Sequence, residues 1–172
     1  MRDQIMSDYL RALASEGSPG GGATAALHVA QAAALVGKVS ADGREAGALS
    51  MHALRLAEKE AHAAAVLTRA HRLPPGEARE SAVAEARRHA CEPAAEVIAA
   101  AAAVLDLAER VLPGRRVGTD LAAVAEAARA AAVTAGVSVE VHSGVPVPPE
   151  VAAVRERADR LTATIRKAVV PA

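Results

Sequence analysis

From about Gly22 to Val39 the chain offers a helix with no polar side. Leu27, Val29, Leu35, Val36 and Val39 fall around its whole circumference, set among alanines. A helix of this kind has to be covered on every side. The rest of the chain must therefore build walls around it. A single bundle of 172 residues leaves part of that cover to a second copy, so a homodimer is expected.

The remaining pattern supplies such walls. Ile5, Met6, Tyr9, Leu10 and Leu13 share one face of a first helix that stops near Gly17. After the break at Asp42-Gly43 a third helix runs from about Arg44 to Arg72, where Leu73-Pro74-Pro75 ends it. A fourth helical stretch spans Gly76 to Val111, kinked or divided by Pro93. A weakly charged, alanine-rich helix begins near Thr119-Asp120. Val137, Val139 and Val141 alternate with polar residues as a strand would. A lone strand would lack a partner, so continued helix is expected there. The last helix carries Val151, Val154, Ala158, Leu161 and Ile165 on one face.

With roughly a quarter of its residues alanine and Tyr9 as the only aromatic, the core must consist of closely approaching helices packed on Ala, Val and Leu. The expectation is one all-α domain over residues 1–172, an up-down bundle of long alanine-rich helices.

Charge excludes some functions. Twenty basic residues balance twenty acidic ones, which gives no field for nucleic acid or an anionic membrane, and no aromatic platform exists for stacking bases. The uncharged stretch Gly17–Gly37 is long enough to raise the question of a membrane span. Its Pro/Gly start, His28, Gln31 and alanine content fit a buried helix better. The N-terminus opens an amphipathic pattern rather than a signal peptide. Cys91 is alone, which forbids an intramolecular disulfide and fits a reducing, cytoplasmic setting.

Three features could carry chemistry. Ser18-Pro19-Gly20-Gly21-Gly22 lies between two helices that its glycines would each break. Such a run serves a turn, or lets a ligand approach the backbone beside the free N–H groups of a helix start. The third helix carries an apolar stripe at Leu49, Ala53, Leu56, position 60, Ala63, Leu67 and Ala70, and position 60 is glutamate. A carboxyl on a core face loses hydration, its pKa rises, and it becomes a candidate for acid–base work. A slight helix rotation, or a neutralising arginine, would explain it structurally. Thr119-Asp120 caps a helix by default and could alternatively aim a second carboxylate into the same pocket.

The six histidines form no His-x-x-x-His pair, and His89 with Cys91 lacks a third ligand, so no metal is expected. Arg115 and Arg116 read as solvated loop charges, or as partners for a ligand carboxylate.

Together these residues resemble the cyclodeaminase/cyclohydrolase family of folate enzymes, which includes formiminotetrahydrofolate cyclodeaminase and methenyltetrahydrofolate cyclohydrolase. Tyr9-Leu10-Arg11-Ala12-Leu13-Ala14-Ser15 followed by Ser18-Pro19-Gly20-Gly21-Gly22-Ala23-Thr24 is similar to the family's Leu-Ala-Ser helix end, Pro-Gly-Gly-Gly-Ser and buried helix. Glu60 through Ala70-His71-Arg72-Leu73-Pro74 resembles its acidic helix ending in Leu-Pro, and Thr119-Asp120 resembles its Ser-Asp. The chain departs from the family pattern at several positions. Glu60 stands for an aspartate, Ala23 for the serine after the glycines, and Ser138 and His142 for two late asparagines.

The resemblance implies an all-helical homodimer acting on the one-carbon bridge between N5 and N10 of a tetrahydrofolate, without metal or redox cofactor. It implies Glu60 and Asp120 as proton-handling carboxylates. It also implies Ser18, Pro19, Gly20, Gly21, Gly22, Thr24, Ser138 and His142 as folate contacts.

Overall fold

The computed structural model describes residues 6–15, 20–114 and 118–169. Six α-helices follow one another: α1 Met6–Leu13, α2 Gly21–Val39, α3 Arg44–His71, α4 Glu77–Val111, α5 Thr119–Ser143 and α6 Pro149–Val169, with a 3-10 turn at Leu112–Gly114. There is no strand among the described residues. The alternating valines at 137–141 lie inside α5. The fourth stretch is one helix, and Pro93 neither ends nor divides it. Its ring is buried, and the packing of both flanks against α3 and α5 outweighs the roughly 3 kcal/mol that an interior proline costs.

α2 is the axis of the bundle, touched by α3, α5 and α4. Ala23, Ala25, Ala26, Val29, Ala30, Ala32, Ala33 and Val36 are all buried, and the small side chains let the neighbouring backbones come close. Gln31, Ala34 and Lys38 remain exposed. The chain's own helices therefore supply most of the cover expected from a second copy.

Leu56 of α3, Leu105 of α4 and Leu121 of α5 are the largest side chains sealed in the centre. α5 is apolar and long enough to cross a membrane by composition alone. Here it packs as a core helix against α2, α4 and α6.

The helix ends follow from local chemistry. Asp42 Oδ1 accepts the Arg44 N–H at 3.0 Å and starts α3. α5 ends at Gly144, whose φ of 72° is the left-handed conformation that lets its N–H reach the Glu140 carbonyl.

α6 then folds back onto α5 over Gly136. A Cβ at that position would lie 2.8 Å from Val151 Cγ2 and 2.9 Å from Val147 Cγ1. Gly136→Ala is expected to cost about 1–3 kcal/mol through this overpacking. A urea midpoint equal to that of wild type would show that α6 adjusts freely. On the outer side Arg157 holds Asp106 at 2.5 Å and Glu109 at 2.9 Å, tying α6 to α4.

Candidate functional site

Glu60 is the one buried charged residue among the described residues, 7% exposed. It sits on α3 one turn after the sealed Leu56, where the apolar stripe leaves the core and reaches the start of α2. Gly22 faces it. A Cβ on Gly22 would overlap the carboxylate and stand 2.7 Å from its carboxyl carbon. Close approach of a side chain to the backbone, rather than a turn with positive φ, is what requires glycine here.

Glu60 Oε1 is buried with no hydrogen-bond partner. Burial pushes its pKa up from 4.5 to about 7. Among the described residues no arginine pairs with it, and its burial shows that α3 does not rotate it out of the core.

Beside this carboxyl lies a cavity of about 400 Å³. Gly20, Gly21 and Gly22 form one rim, where the first-turn N–H groups of α2 have no acceptor within the helix. Ala63, Leu67 and Thr68 of α3 and Ala90 of α4 form the floor and flank. Thr134, Ser138 and His142 of α5 close it, each one turn after the last and so on one face. Burial, reinforced by the charge of Arg87, holds the His142 pKa below its usual value. His142 Nδ1 is a second buried polar atom without a partner.

Five of the expected contact residues, Gly20, Gly21, Gly22, Ser138 and His142, thus converge on Glu60. Ser18 and Pro19 lie outside the described residues, as do Arg115 and Arg116. Thr24 does not join the site. Its hydroxyl donates to the Gly20 carbonyl at 3.2 Å, and it lines a separate hollow under α1 with Tyr9, Leu13 and Leu27. Two residues along a helix is a rotation of about 200°, which turns Thr24 away from Gly22.

Asp120 is also elsewhere. It pairs with Lys38 at 2.9 Å, at the far end of α2. Lys38 follows Gly22 by sixteen residues, which places that pair roughly 24 Å along the axis. Within one chain Asp120 lies in the first turn of α5 and answers Lys38, and among the described residues the cavity contains a single carboxyl. The sequence reading missed Thr134 and Thr68. The i, i+4, i+8 relation of Thr134 to Ser138 and His142 could have found the first of these.

A larger groove of about 730 Å³ runs between α3 and α4, lined by Arg55, Glu58, Lys59, His62, His89 and Glu96 among others. Its charged groups are solvated, and Lys59 is already paired with Glu96 at 2.7 Å. It holds none of the unsatisfied buried groups that mark the Glu60 cavity.

An α-helical bundle built around an alanine-rich axis, with a glycine-started helix facing a desolvated carboxyl, defines the class. Among solved structures the chain is similar to the crystal structure of formiminotetrahydrofolate cyclodeaminase from Thermotoga maritima. It superposes with a TM-score of 0.78 at 15% identity, over 98% of this chain and 96% of that one. The chain therefore has the fold that the sequence motifs resembled. No family model matches the chain, and no curated protein matches it in sequence.

Proposed function

We propose that this protein is a folate-acting one-carbon enzyme that makes or hydrolyses the N5,N10-methenyl bridge of tetrahydrofolate. The observation that carries the reading is Glu60, a carboxyl buried without a partner against the glycine start of α2, on a cavity open to a ligand. Closing or opening the bridge moves a proton at a carbon flanked by two nitrogens. A carboxyl whose pKa lies near 7 exists in both forms at neutral pH and suits that task. As an anion it also stabilises a cationic amidinium in a water-poor cavity. The free N–H groups at Gly21 and Gly22 would hold a carbonyl edge of the ligand, with Ser138 and Thr134 opposite. No metal or cofactor is assigned.

A second reading, a folate-binding helical protein without turnover, is favoured by one observation. Asp120 is held by Lys38 away from the cavity, so the second carboxylate that the resemblance implied is missing from it.

Oligomeric state and location belong to the same reading. α5 exposes Val133, Val137 and Val141 in one row, which favours a homodimer. The charge balance and lone cysteine favour the cytoplasm.

Purified protein mixed with 5,10-methenyltetrahydrofolate is expected to accelerate loss of its ultraviolet absorbance, or to release ammonia from 5-formiminotetrahydrofolate. Calorimetric binding with neither reaction would support the second reading. No binding at all would reject both. Sedimentation of the same sample at the mass of one chain would reject the homodimer.

A further inference from the structure

Glu60 and His142 are the two ionisable side chains among the described residues that line the cavity, and they reach it from different helices. His142 takes the place of an amide in the resembled pattern, so its chemistry is particular to this chain. The state of its ring follows from its surroundings. Nδ1 is buried and meets no acceptor, which leaves Nε2 as the nitrogen facing the cavity. A bare lone pair without a partner costs less than a buried N–H without one. The single proton of the neutral ring therefore belongs on Nε2. A second proton would have to sit on Nδ1, in a desolvated position near the Arg87 cation of α4. Burial of Nδ1 and the nearby Arg87 charge both favour the neutral ring with its proton on Nε2.

We infer that His142 is the electrophile of the site, a neutral imidazole whose Nε2–H donates to the oxygen that develops at the one-carbon centre while Glu60 moves the proton. This inference rests on the folate reading and deepens it, because of the two reactions only the hydrolysis creates an oxygen there. Water attacks the methenyl carbon, its oxygen forms the new C–O bond, and one of its protons passes to the Glu60 carboxylate. The oxygen, held by His142 Nε2–H, carries the growing charge. The C–N5 bond breaks with its electron pair going to N5, which takes the proton from Glu60. The remaining hydroxyl proton leaves to solvent as the formyl carbonyl forms. One water is consumed, and one proton is released as the cationic bridge becomes a neutral formamide. Thr134 and Ser138, on the same face of α5, complete the polar side from which the oxygen is bound.

The test uses 5,10-methenyltetrahydrofolate and full-length protein. His142→Phe removes the donor and is expected to lower kcat by about 10²–10³-fold with KM little changed. His142→Asn keeps an N–H donor and is expected to remain within about tenfold of wild type. It should also retain the acidic limb of the pH–rate profile, because that limb belongs to Glu60. Loss of the limb in His142→Asn would make His142 the base and overturn the inference, as would equal activity in His142→Phe.

A readout independent of substrate comes from the imidazole ¹⁵N spectrum of the free protein near pH 7. Nε2 protonated and Nδ1 bare is the expected result. A ring protonated on Nδ1 overturns the inference even if folate is turned over. A wild-type protein inert toward both folates would instead remove the folate reading, and with it the reaction assigned here, while the spectrum would still report the state of the ring.

Discussion

Glu60→Gln is expected to change activity and stability in opposite directions. The amide fills the same space but cannot carry a proton, so kcat/KM toward 5,10-methenyltetrahydrofolate should fall by about 10²–10⁴-fold. The wild-type rate should rise with pH through about 7, as the buried carboxyl ionises and becomes able to accept the proton of water. Glutamine should lack that limb.

Stability behaves the other way. The folded state raises the Glu60 pKa from 4.5 to about 7, so it favours the protonated form. Below the unfolded value both states are protonated and the residue costs nothing. As pH climbs from about 4.5 to about 7 the unfolded chain gives up its proton first. Stability is therefore lost across that window and stays lower above it. The loss at pH 8 amounts to about 3 kcal/mol, and Glu60→Gln should recover most of it. At pH 4 the two proteins should unfold at nearly the same denaturant concentration. A pH-independent difference in urea midpoint would show that Glu60 is not desolvated as described. A variant with full activity would remove it from the chemistry.

The second large effect is expected at Gly22. An alanine there places a methyl group over the Glu60 carboxylate, 2.7 Å from its carboxyl carbon. The long side chain has to swing away, because the start of α2 is backbone and cannot. Displacing a proton-transfer group by about 1 Å is enough to lose roughly 100-fold in rate. The fold should tolerate the change, since alanine is favoured over glycine in a helix by up to about 1 kcal/mol. The expected phenotype is a protein of near wild-type melting temperature, about 100-fold reduced kcat and a shifted carboxyl titration of Glu60. Unchanged kinetics together with an unchanged ¹³C titration would mean that the glycine serves only the helix start. Gly21→Ala, whose Cβ would meet only Thr134 Cγ2 at an ordinary 3.4 Å, is expected to leave the Glu60 titration in place.

Much of this site was legible in the sequence, and the limits are physical. The break in the α3 stripe identified Glu60, because a helical period of 3.6 residues fixes which positions share a face. The glycine run marked a backbone that something approaches. The neighbour proved to be the chain's own carboxyl, with a ligand cavity beyond it. Asp120 could not be placed from sequence. Thr119-Asp120 starts a helix in either case, and whether it faces Glu60 or Lys38 depends on which ends of α2 and α5 meet. Thr24 was misdirected for a smaller reason, since adjacency in sequence to Gly22 puts it on nearly the opposite side of α2. Pro93 shows local propensity overruled by tertiary packing on both sides of α4.

By itself the sequence determined an all-helical bundle about an apolar axis, because alanine density, helical period and the near absence of aromatics leave no other way to bury that surface. It also marked one carboxyl on the core-facing stripe of α3, with its burial left to the packing. Only the tertiary structure decided what surrounds that carboxyl. α3 and α5 are far apart in the chain, and their meeting at the start of α2 joins Glu60 to Ser138 and His142. Burial, the missing hydrogen-bond partners and the raised pKa are properties of that meeting. Periodicity fixes the face of a helix on which a side chain lies, and packing fixes what lies opposite.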